Sequence, residues 1–213
     1  MEVEMSKKVI ITIARQYGSG GREIGEKVAA ALGIPIYDKQ IITDAASKGE
    51  LNEEVLKTAD ESAANSLLYT LAMGSNIIGT TMHFGYKMPL NDKLFILQSE
   101  LIKEYAEAGS CVIIGRCSDY VLRNNDNVFR LFIYGDLEHR KARVAERHPE
   151  IKSSQIIDVI NKTDKRRASY YNFYTGNKWG KYDNYDMAIN SSTLGIEGTA
   201  QLIIASAKKL MED

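Results

Sequence analysis

The sequence predicts an α/β domain in which helices cover both faces of a parallel sheet of about five strands. Two observations carry this prediction. Short apolar runs rich in β-branched residues alternate along the chain with helical hydrophobic patterns, and a glycine-rich segment directly follows the first run. Because such alternation is typical of parallel sheets buried on both sides, we expect three layers. The predicted strands are residues 9–14, 34–37, 111–114, 128–134 and 187–189.

The bulk composition predicts one domain over residues 1–213, since 44% of the 213 residues are hydrophobic and 26% are charged. The 27 basic residues nearly cancel the 28 acidic ones, and the net charge of −1 provides no field that attracts nucleic acid or an anionic membrane. We therefore expect a local anion site, without a nucleic-acid or membrane partner. The oligomeric state stays open.

The cysteines and the first residues predict a cytoplasmic location. Cys111 and Cys117 lie in or beside one apolar run, a spacing that suits neither a disulfide framework nor a zinc site. Residues 1–5 are acidic where a signal peptide needs basic residues. In addition, no apolar run approaches the ~18 residues that a membrane span requires.

Two segments interrupt the strand and helix alternation. Residues 38–91, approximately, have a polar helical pattern without a strand, and we predict a helical insertion there. Residues 172–184 are rich in Tyr, Asn, Gly and Lys and follow a charged helix, which predicts a surface loop within a lid region of about 148–184. Residues 196–211 have the spacing of a closing amphipathic helix.

The glycine-rich segment RQYGSGGREIG, residues 15–25, lies between the first predicted strand and the first predicted helix. A phosphate cradle needs backbone N–H groups without intervening side chains, followed by a helix N-terminus with its partial positive charge. We expect Gly18, Ser19, Gly20 and Gly21 to form such a cradle. The alternative is a glycine-rich turn that only connects strand to helix.

This segment departs from the GxxxxGK[ST] pattern, since it has neither the lysine nor the Ser/Thr in either plausible register. If Gly21 takes the last glycine position, Arg22 replaces the lysine and Glu23 replaces the hydroxyl. Arg22 or Arg15 can supply positive charge to phosphate oxygens. Glu23 either holds Mg²⁺ or stabilises the first helical turn through the macrodipole, and we favour the second role.

Motifs along the whole chain resemble the cytidylate kinase family, and more closely its atypical, cytidylate kinase-like branch, whose glycine loop has the form RQYGSGGRE. Residues 37–39, Tyr-Asp-Lys, are similar to the start of the family's nucleoside-monophosphate-binding insertion. Residues 115–117, Gly-Arg-Cys, resemble its Gly-Arg-Asp. Asp164 and Arg167 keep the last two positions of its lid signature, Arg-Asp-x-x-Asp-x-x-Arg, and residues 189–197 are similar to its final strand, turn and helix start.

The resemblance implies a P-loop NTPase-type fold that transfers a phosphoryl group from ATP, with Mg²⁺, to a CMP-like nucleoside monophosphate. Such transfer depends on positioning and charge neutralisation, so arginines are the expected catalytic residues. The implied catalytic residues are Arg22, Arg116, Arg166 and Arg167. The residues implied for ATP are Tyr17, Gly18, Ser19, Gly20, Gly21, Arg22, Glu23 and Arg143, and those for the acceptor are Asp38, Arg116, Asp164 and Arg167.

Three arginines at helical spacing, Arg140, Arg143 and Arg147, have two interpretations. In the family, arginines near the lid approach ATP. The alternative is ordinary pairing along the helix with acidic residues three or four positions away. Those acidic neighbours are Asp136, Glu138 and Glu146.

Three departures from the family motifs leave the acceptor open. Cys117 replaces an aspartate, and Ile160 and Asn161 replace the first Arg-Asp of the lid signature. These changes favour another small phosphorylatable metabolite over CMP. A third interpretation, from a different class, is a nucleotide sensor without catalysis. The histidines His83, His139 and His148 have no metal or triad spacing, and we expect them at the surface.

Overall fold

The computed structural model describes residues 7–49 and 90–212, and these residues form the predicted three-layer α/β fold. Five parallel strands form one sheet in the order β2-β3-β1-β4-β5. Most of the predicted insertion, and His83, lie outside the described residues. The strands are β1 (Ile10–Arg15), β2 (Ile36–Tyr37), β3 (Cys111–Ile114), β4 (Val128–Tyr134) and β5 (Met187–Asn190).

Helices connect the strands and cover both faces of the sheet. Among the described residues, no helix is both long and apolar enough to cross a membrane. Two short 3₁₀ helices, Ser153–Gln155 and Tyr182–Asn184, complete the described elements. The α-helices are α1 (Gly21–Leu32), α2 (Gln40–Lys48), α3 (Leu90–Ala108), α4 (Ser118–Val121), α5 (Leu137–Arg147), α6 (Ile156–Thr175) and α7 (Ser191–Glu212).

The central strand β1 divides its side chains between two hydrophobic clusters. Ile11 and Ile13 pack with α1 and α7, whereas Ile10 packs with α2 and α3 on the other face. Successive side chains of a strand point to opposite faces, which explains why an unbroken apolar run is needed here. The sheet is thus buried on both sides, and its C-terminal edge is left to carry the functional residues.

Strands β1 and β5 differ from their predicted bounds by one residue, and larger differences occur in three places. Strand β2 has only two residues, because Pro35 offers a carbonyl but no N–H to the sheet. Helix α6 continues to Thr175, so the first part of the predicted irregular stretch is helical; there Tyr174 stacks on Phe95 with ring centroids 4.1 Å apart. Helix α7 begins at Ser191 and is kinked at Gly195 (φ 66°), earlier than predicted.

Candidate active site

The glycine loop joins β1 to α1 with backbone geometry suited to an anion. Gly18 and Gly20 have φ angles of 81° and 80°, in the left-handed region that favours glycine. Helix α1 starts at Gly21 and has no side-chain cap among the described residues. The first intrahelical bond is donated by Ile24 to Gly20. The preceding N–H groups are therefore available to a ligand, at the positive end of the helix dipole.

Ser19 anchors this loop instead of facing a ligand. Its side chain is fully buried, and its hydroxyl oxygen lies within hydrogen-bonding distance of the carbonyls of Gln16 (2.9 Å) and Ile133 (3.1 Å). Its own carbonyl accepts a bond from the Ser191 hydroxyl at 2.7 Å. These contacts tie the loop to β4 and to the start of α7, so Ser19 contributes to the site through the backbone.

A cavity of about 590 Å³ opens at the C-terminal edge of the sheet, directly over the glycine loop. Among the described residues, its lining includes seven arginines and Lys39, against the two carboxylates of Glu23 and Asp38. The near-neutral chain thus concentrates positive charge in one place. The lining consists of Arg15, Gln16, Tyr17, Gly18, Gly20, Gly21, Arg22, Glu23, Asp38, Lys39, Arg116, Arg143, Val144, Arg147, His148, Arg166 and Arg167.

Helix α5 supplies two of these arginines from one side of the loop. Arg143 donates to the Glu23 carboxylate at 2.7 Å, and Arg147 donates to the same oxygen. Arg143 is largely buried, with 16% of its side chain exposed. These two arginines thus bond to a carboxylate of α1 beside the glycine loop, and the alternative of pairing along their own helix does not describe them.

Burial raises the pKa of Glu23, but the hydrogen bond from Arg143 and the charges of Arg147 and Arg143 outweigh it, and the net pKa is lowered. A lowered carboxyl pKa stabilises the fold above the unfolded-state value, and this contribution is lost as the pH falls through the lower folded-state pKa. The salt bridges of Glu23 are therefore present at neutral pH and lost only in acid.

Replacing Glu23 by glutamine should lower the free energy of unfolding at pH 7 by about 1 kcal/mol, because it removes a charge-assisted hydrogen bond. The deficit should shrink as the pH falls through the lowered pKa of Glu23, because the wild-type carboxyl then becomes protonated as well. Urea unfolding at pH 7 and at a series of acidic pH values measures this difference. Glu26→Gln, on the exposed side of the same helix, is the control and should change little. An unchanged deficit at low pH would contradict the ionic origin.

The opposite side of the loop, towards β2 and β3, carries a second charged group. Asp38 follows β2 and lies 3.3 Å from the guanidinium of Arg22 and 4.0 Å from that of Arg15. Arg22 also donates to Glu26 at 3.0 Å and is half exposed. The charge of Arg22 thus lies on the β2 side of the glycine loop, whereas the charges of Arg143 and Arg147 lie on the α5 side.

Arg116 reaches the cavity from a left-handed turn after β3. Gly115, Arg116 and Cys117 have consecutive φ angles of 70°, 57° and 54°. Non-glycine residues adopt this region at a cost of roughly 1–2 kcal/mol each, and such strain is concentrated at functional sites. The turn sends Arg116, which is 95% buried, towards the cavity and sends Cys117 into an aromatic cluster with Tyr170 and Tyr171.

The structure brings together most of the residues that the sequence proposed for the site, which stay candidates for binding. Ser19 is buried beneath the loop, and Asp164 binds the loop backbone, so neither lines the cavity. The proposed residues that do line it are Tyr17, Gly18, Gly20, Gly21, Arg22, Glu23, Asp38, Arg116, Arg143, Arg166 and Arg167.

Two of the three positions where the sequence departs from the family motifs, Cys117 and Ile160, lie in the hydrophobic core, whereas Asn161 is exposed. Ile160 is fully buried and packs with Val144 and Ile156, where it holds α6 against α5. Asp119 is buried and accepts a bond from the Tyr171 hydroxyl at 2.6 Å. Because it is buried and engaged by Tyr171, this carboxylate does not replace the missing aspartate at position 117 as a solvated ligand; its burial also raises its pKa.

Arg15, which the sequence offered beside Arg22 as a source of positive charge, lines the cavity, and so does Arg147, one of the three arginines at helical spacing. Lys39 directly follows Asp38 and was not proposed from the sequence, although its place after β2 could have indicated it. His148, expected at the surface, is half-buried, lines the cavity and stacks on Tyr17 with centroids 6.2 Å apart. Only tertiary contact reveals that position.

The sheet order, the glycine loop after β1 and the cavity at the strand ends define a P-loop kinase fold. The structure is similar to a shikimate kinase from Bacteroides thetaiotaomicron, with a TM-score of 0.52 and 14% identity over 94% of this chain and 98% of that one. It is also similar to a gluconokinase from Sinorhizobium meliloti 1021, with a TM-score of 0.51 and 13% identity over 96% and 94%. These low identities support the fold alone.

The chain belongs to the cytidylate kinase-like family, whose model matches residues 10–193. This match confirms the resemblance predicted from the motifs. A further similar structure is that of an uncharacterized protein from Eubacterium ventriosum ATCC 27560, with a TM-score of 0.69 and 26% identity over 94% of this chain and 98% of that one. A search of curated proteins returned no significant match. Family and fold together support a kinase of nucleotides or small metabolites.

Proposed function

We propose that this protein transfers the γ-phosphoryl group of ATP to a small anionic acceptor, of which a nucleoside monophosphate such as CMP is the first candidate. One observation carries the proposal: a single cavity joins an uncapped helix N-terminus at a glycine loop to arginines from five different elements of the fold. Phosphoryl transfer requires little covalent chemistry from a protein, and arginines around the phosphate oxygens supply most of what it needs.

The topology supports a donor side and an acceptor side. Strand β1 lies between β3 and β4, so the chain order reverses there, as at the ligand-binding edges of other α/β sheets. Arg143 and Arg147 on α5 flank the glycine loop on the β4 side, where we assign the ATP phosphates. Asp38 and Arg116 follow β2 and β3 on the opposite side, where we assign the acceptor.

Mg²⁺ fits this assignment because it prefers oxygen ligands, keeps several waters and is usually bound by one or two carboxylates together with substrate phosphates. Glu23 and Asp38 are the carboxylates that line the cavity among the described residues, and either would complete such a site. When bound, Mg²⁺ would neutralise charge on the ATP phosphates. Positioning of the phosphates by the loop N–H groups and the arginines is the work of this chain itself.

The charge of the acceptor side favours an anionic acceptor over a neutral alcohol. Arg15, Arg22, Lys39 and Arg116 face a single carboxylate there, Asp38. Two observations favour a metabolite other than CMP as a second candidate. The thiol of Cys117 is buried among tyrosines, and Ile160 is part of the core, so neither supplies the polar group that the family motif has at its position.

Steady-state consumption of ATP tests the proposal. Purified protein would be given ATP, Mg²⁺ and each common nucleoside monophosphate, and then phosphorylated sugars and acids, in a coupled assay for ADP. Turnover with a monophosphate supports the first candidate, and turnover only with another anion supports the second. If calorimetry detects ATP binding but no acceptor supports turnover, a nucleotide sensor is favoured. Absence of ATP binding would contradict the phosphate-site assignment.

A further inference from the structure

Asp164 forms a bridge between two helices and the glycine loop. One of its carboxylate oxygens accepts the backbone N–H of Tyr17 at 2.7 Å, and the other accepts Arg140 Nη1 at 2.6 Å. Arg140 Nη1 also donates to the carbonyl of Tyr17 at 3.2 Å. The three residues thus form a closed hydrogen-bonded set, which we call the loop clamp.

The loop clamp is well shielded from water. The exposed fractions of the Arg140 and Asp164 side chains are 10% and 16%, so their charge-assisted bonds are stronger than those of an exposed ion pair. The same contact region is tightly packed: a Cβ at Gly18 would lie 2.9 Å from the carbonyl oxygen of Arg140 and 3.1 Å from its Cβ. The loop therefore rests directly on α5, with little room to adopt another conformation.

Each member of the clamp is adjacent to residues that line the cavity. Tyr17 directly precedes Gly18, Arg140 lies one turn before Arg143, and Asp164 lies one turn before Arg167. Arg167 in turn donates to the carbonyl of Arg15 at 3.1 Å. Rotation of Asp164 would therefore break both of its bonds, the one to the Tyr17 N–H and the one to Arg140, and would leave the loop held to the two helices only through the carbonyls of Tyr17 and Arg15.

We propose that Asp164 is a positioning residue that holds the glycine loop in its phosphate-binding conformation, with Arg140 as its partner. This inference rests on the proposed nucleotide function. It gives Asp164 a different role from the acceptor contact that the family resemblance implies, since both of its carboxylate oxygens are already engaged by the loop and by α5. The clamp acts on the affinity for phosphates, whichever acceptor is used.

Calorimetry with two probes, ATP with Mg²⁺ and inorganic tripolyphosphate, tests the clamp in the intact protein. Asp164→Ala should raise the Kd of both probes by about 10- to 100-fold, because two charge-assisted bonds are lost. Asp164→Asn retains one oxygen for Tyr17 and should have a smaller effect. Arg140→Lys should act in the same direction. Asp158→Asn, on the exposed surface of the same helix, removes an equal charge and should leave both Kd values unchanged.

Amide hydrogen exchange provides a readout without any ligand. The Tyr17 amide should be protected in the wild type and should exchange at least about tenfold faster in Asp164→Ala, since its acceptor is removed. Unchanged exchange, or an unchanged tripolyphosphate Kd in Asp164→Asn and Arg140→Lys, would overturn the clamp. So would an effect confined to the KM of the acceptor. If the wild type binds neither probe, the proposed function fails, and the role of the clamp in phosphate binding fails with it. If the wild type binds both probes and the Asp164 and Arg140 variants bind them equally well, only the clamp fails.

Discussion

Replacement of Arg116 by alanine should lower kcat about 10²- to 10³-fold, which corresponds to a loss of roughly 3–4 kcal/mol of transition-state stabilisation. The reason is geometric and electrostatic. Arg116 is 95% buried at the cavity edge, where its charge is poorly screened by solvent, and a strained left-handed turn directs it there. Steady-state kinetics with saturating ATP and the acceptor identified by the coupled assay measures the loss.

A second variant separates lost chemistry from lost structure. Arg116→Gly removes the guanidinium and also relieves the positive φ angle, so it should lose as much kcat as the alanine variant with a smaller loss of thermal stability. Arg123→Ala is the control, because Arg123 lies on the surface and contacts the ring and carbonyl of Tyr120. A kcat of Arg116→Gly within a factor of about three of the wild type would exclude the assigned role.

Replacement of Arg143 by methionine should raise the Kd of ATP about 10- to 100-fold, since the variant keeps most of the side-chain volume but loses a shielded charge-assisted contact to phosphate. Arg143 is the more buried of the two arginines that meet Glu23, and its guanidinium lies beside the glycine loop. Calorimetric titration with ATP and Mg²⁺ measures the change.

The control for this experiment lies on the same helix. Lys141→Met also removes one positive charge from α5, but Lys141 pairs with the exposed Glu138 at 3.0 Å and lies away from the cavity lining. Its ATP affinity should be that of the wild type. If both variants weaken ATP binding equally, the effect of Arg143 is one of net charge. If neither does, the phosphates bind elsewhere in the cavity.

The chain therefore has a cation arrangement that differs from the usual phosphate loop. The sequence suggested Arg22 or Arg15 as the replacement for the absent lysine, but in the structure both guanidinium groups lie near Asp38 on the β2 side. Arg143 and Arg147 converge beside the loop from α5 instead. We infer that charge from a neighbouring helix supplies the phosphates with what a loop lysine supplies in the GxxxxGK[ST] pattern.

Local sequence patterns determined the fold class, the five strands and the position of the glycine loop. The apolar runs are unbroken, as strands buried on both faces of a parallel sheet require, and the glycines lie between a strand and a helix, the position at which phosphate-binding loops occur. The family motifs added the sheet-edge positions of Asp38 and Arg116. These features could be predicted because each depends on residues close together in the chain.

Only the tertiary structure decided which charged groups meet. Glu23 and Arg143 are separated by 120 residues, and Tyr17 and Asp164 by 147. The spacing of arginines in the sequence does not tell whether an arginine pairs with an acidic residue of its own helix or with one of another helix, because the spacing is the same in both cases. Helices α5 and α6 pack around Ile160, and α5 packs against the loop at Gly18. This packing brings Arg143 and Arg147 to Glu23, and it brings Arg140 and Asp164 to the loop backbone. The sequence thus specified the P-loop kinase fold, and the packing of these distant helices determined how the arginines at the cavity are arranged.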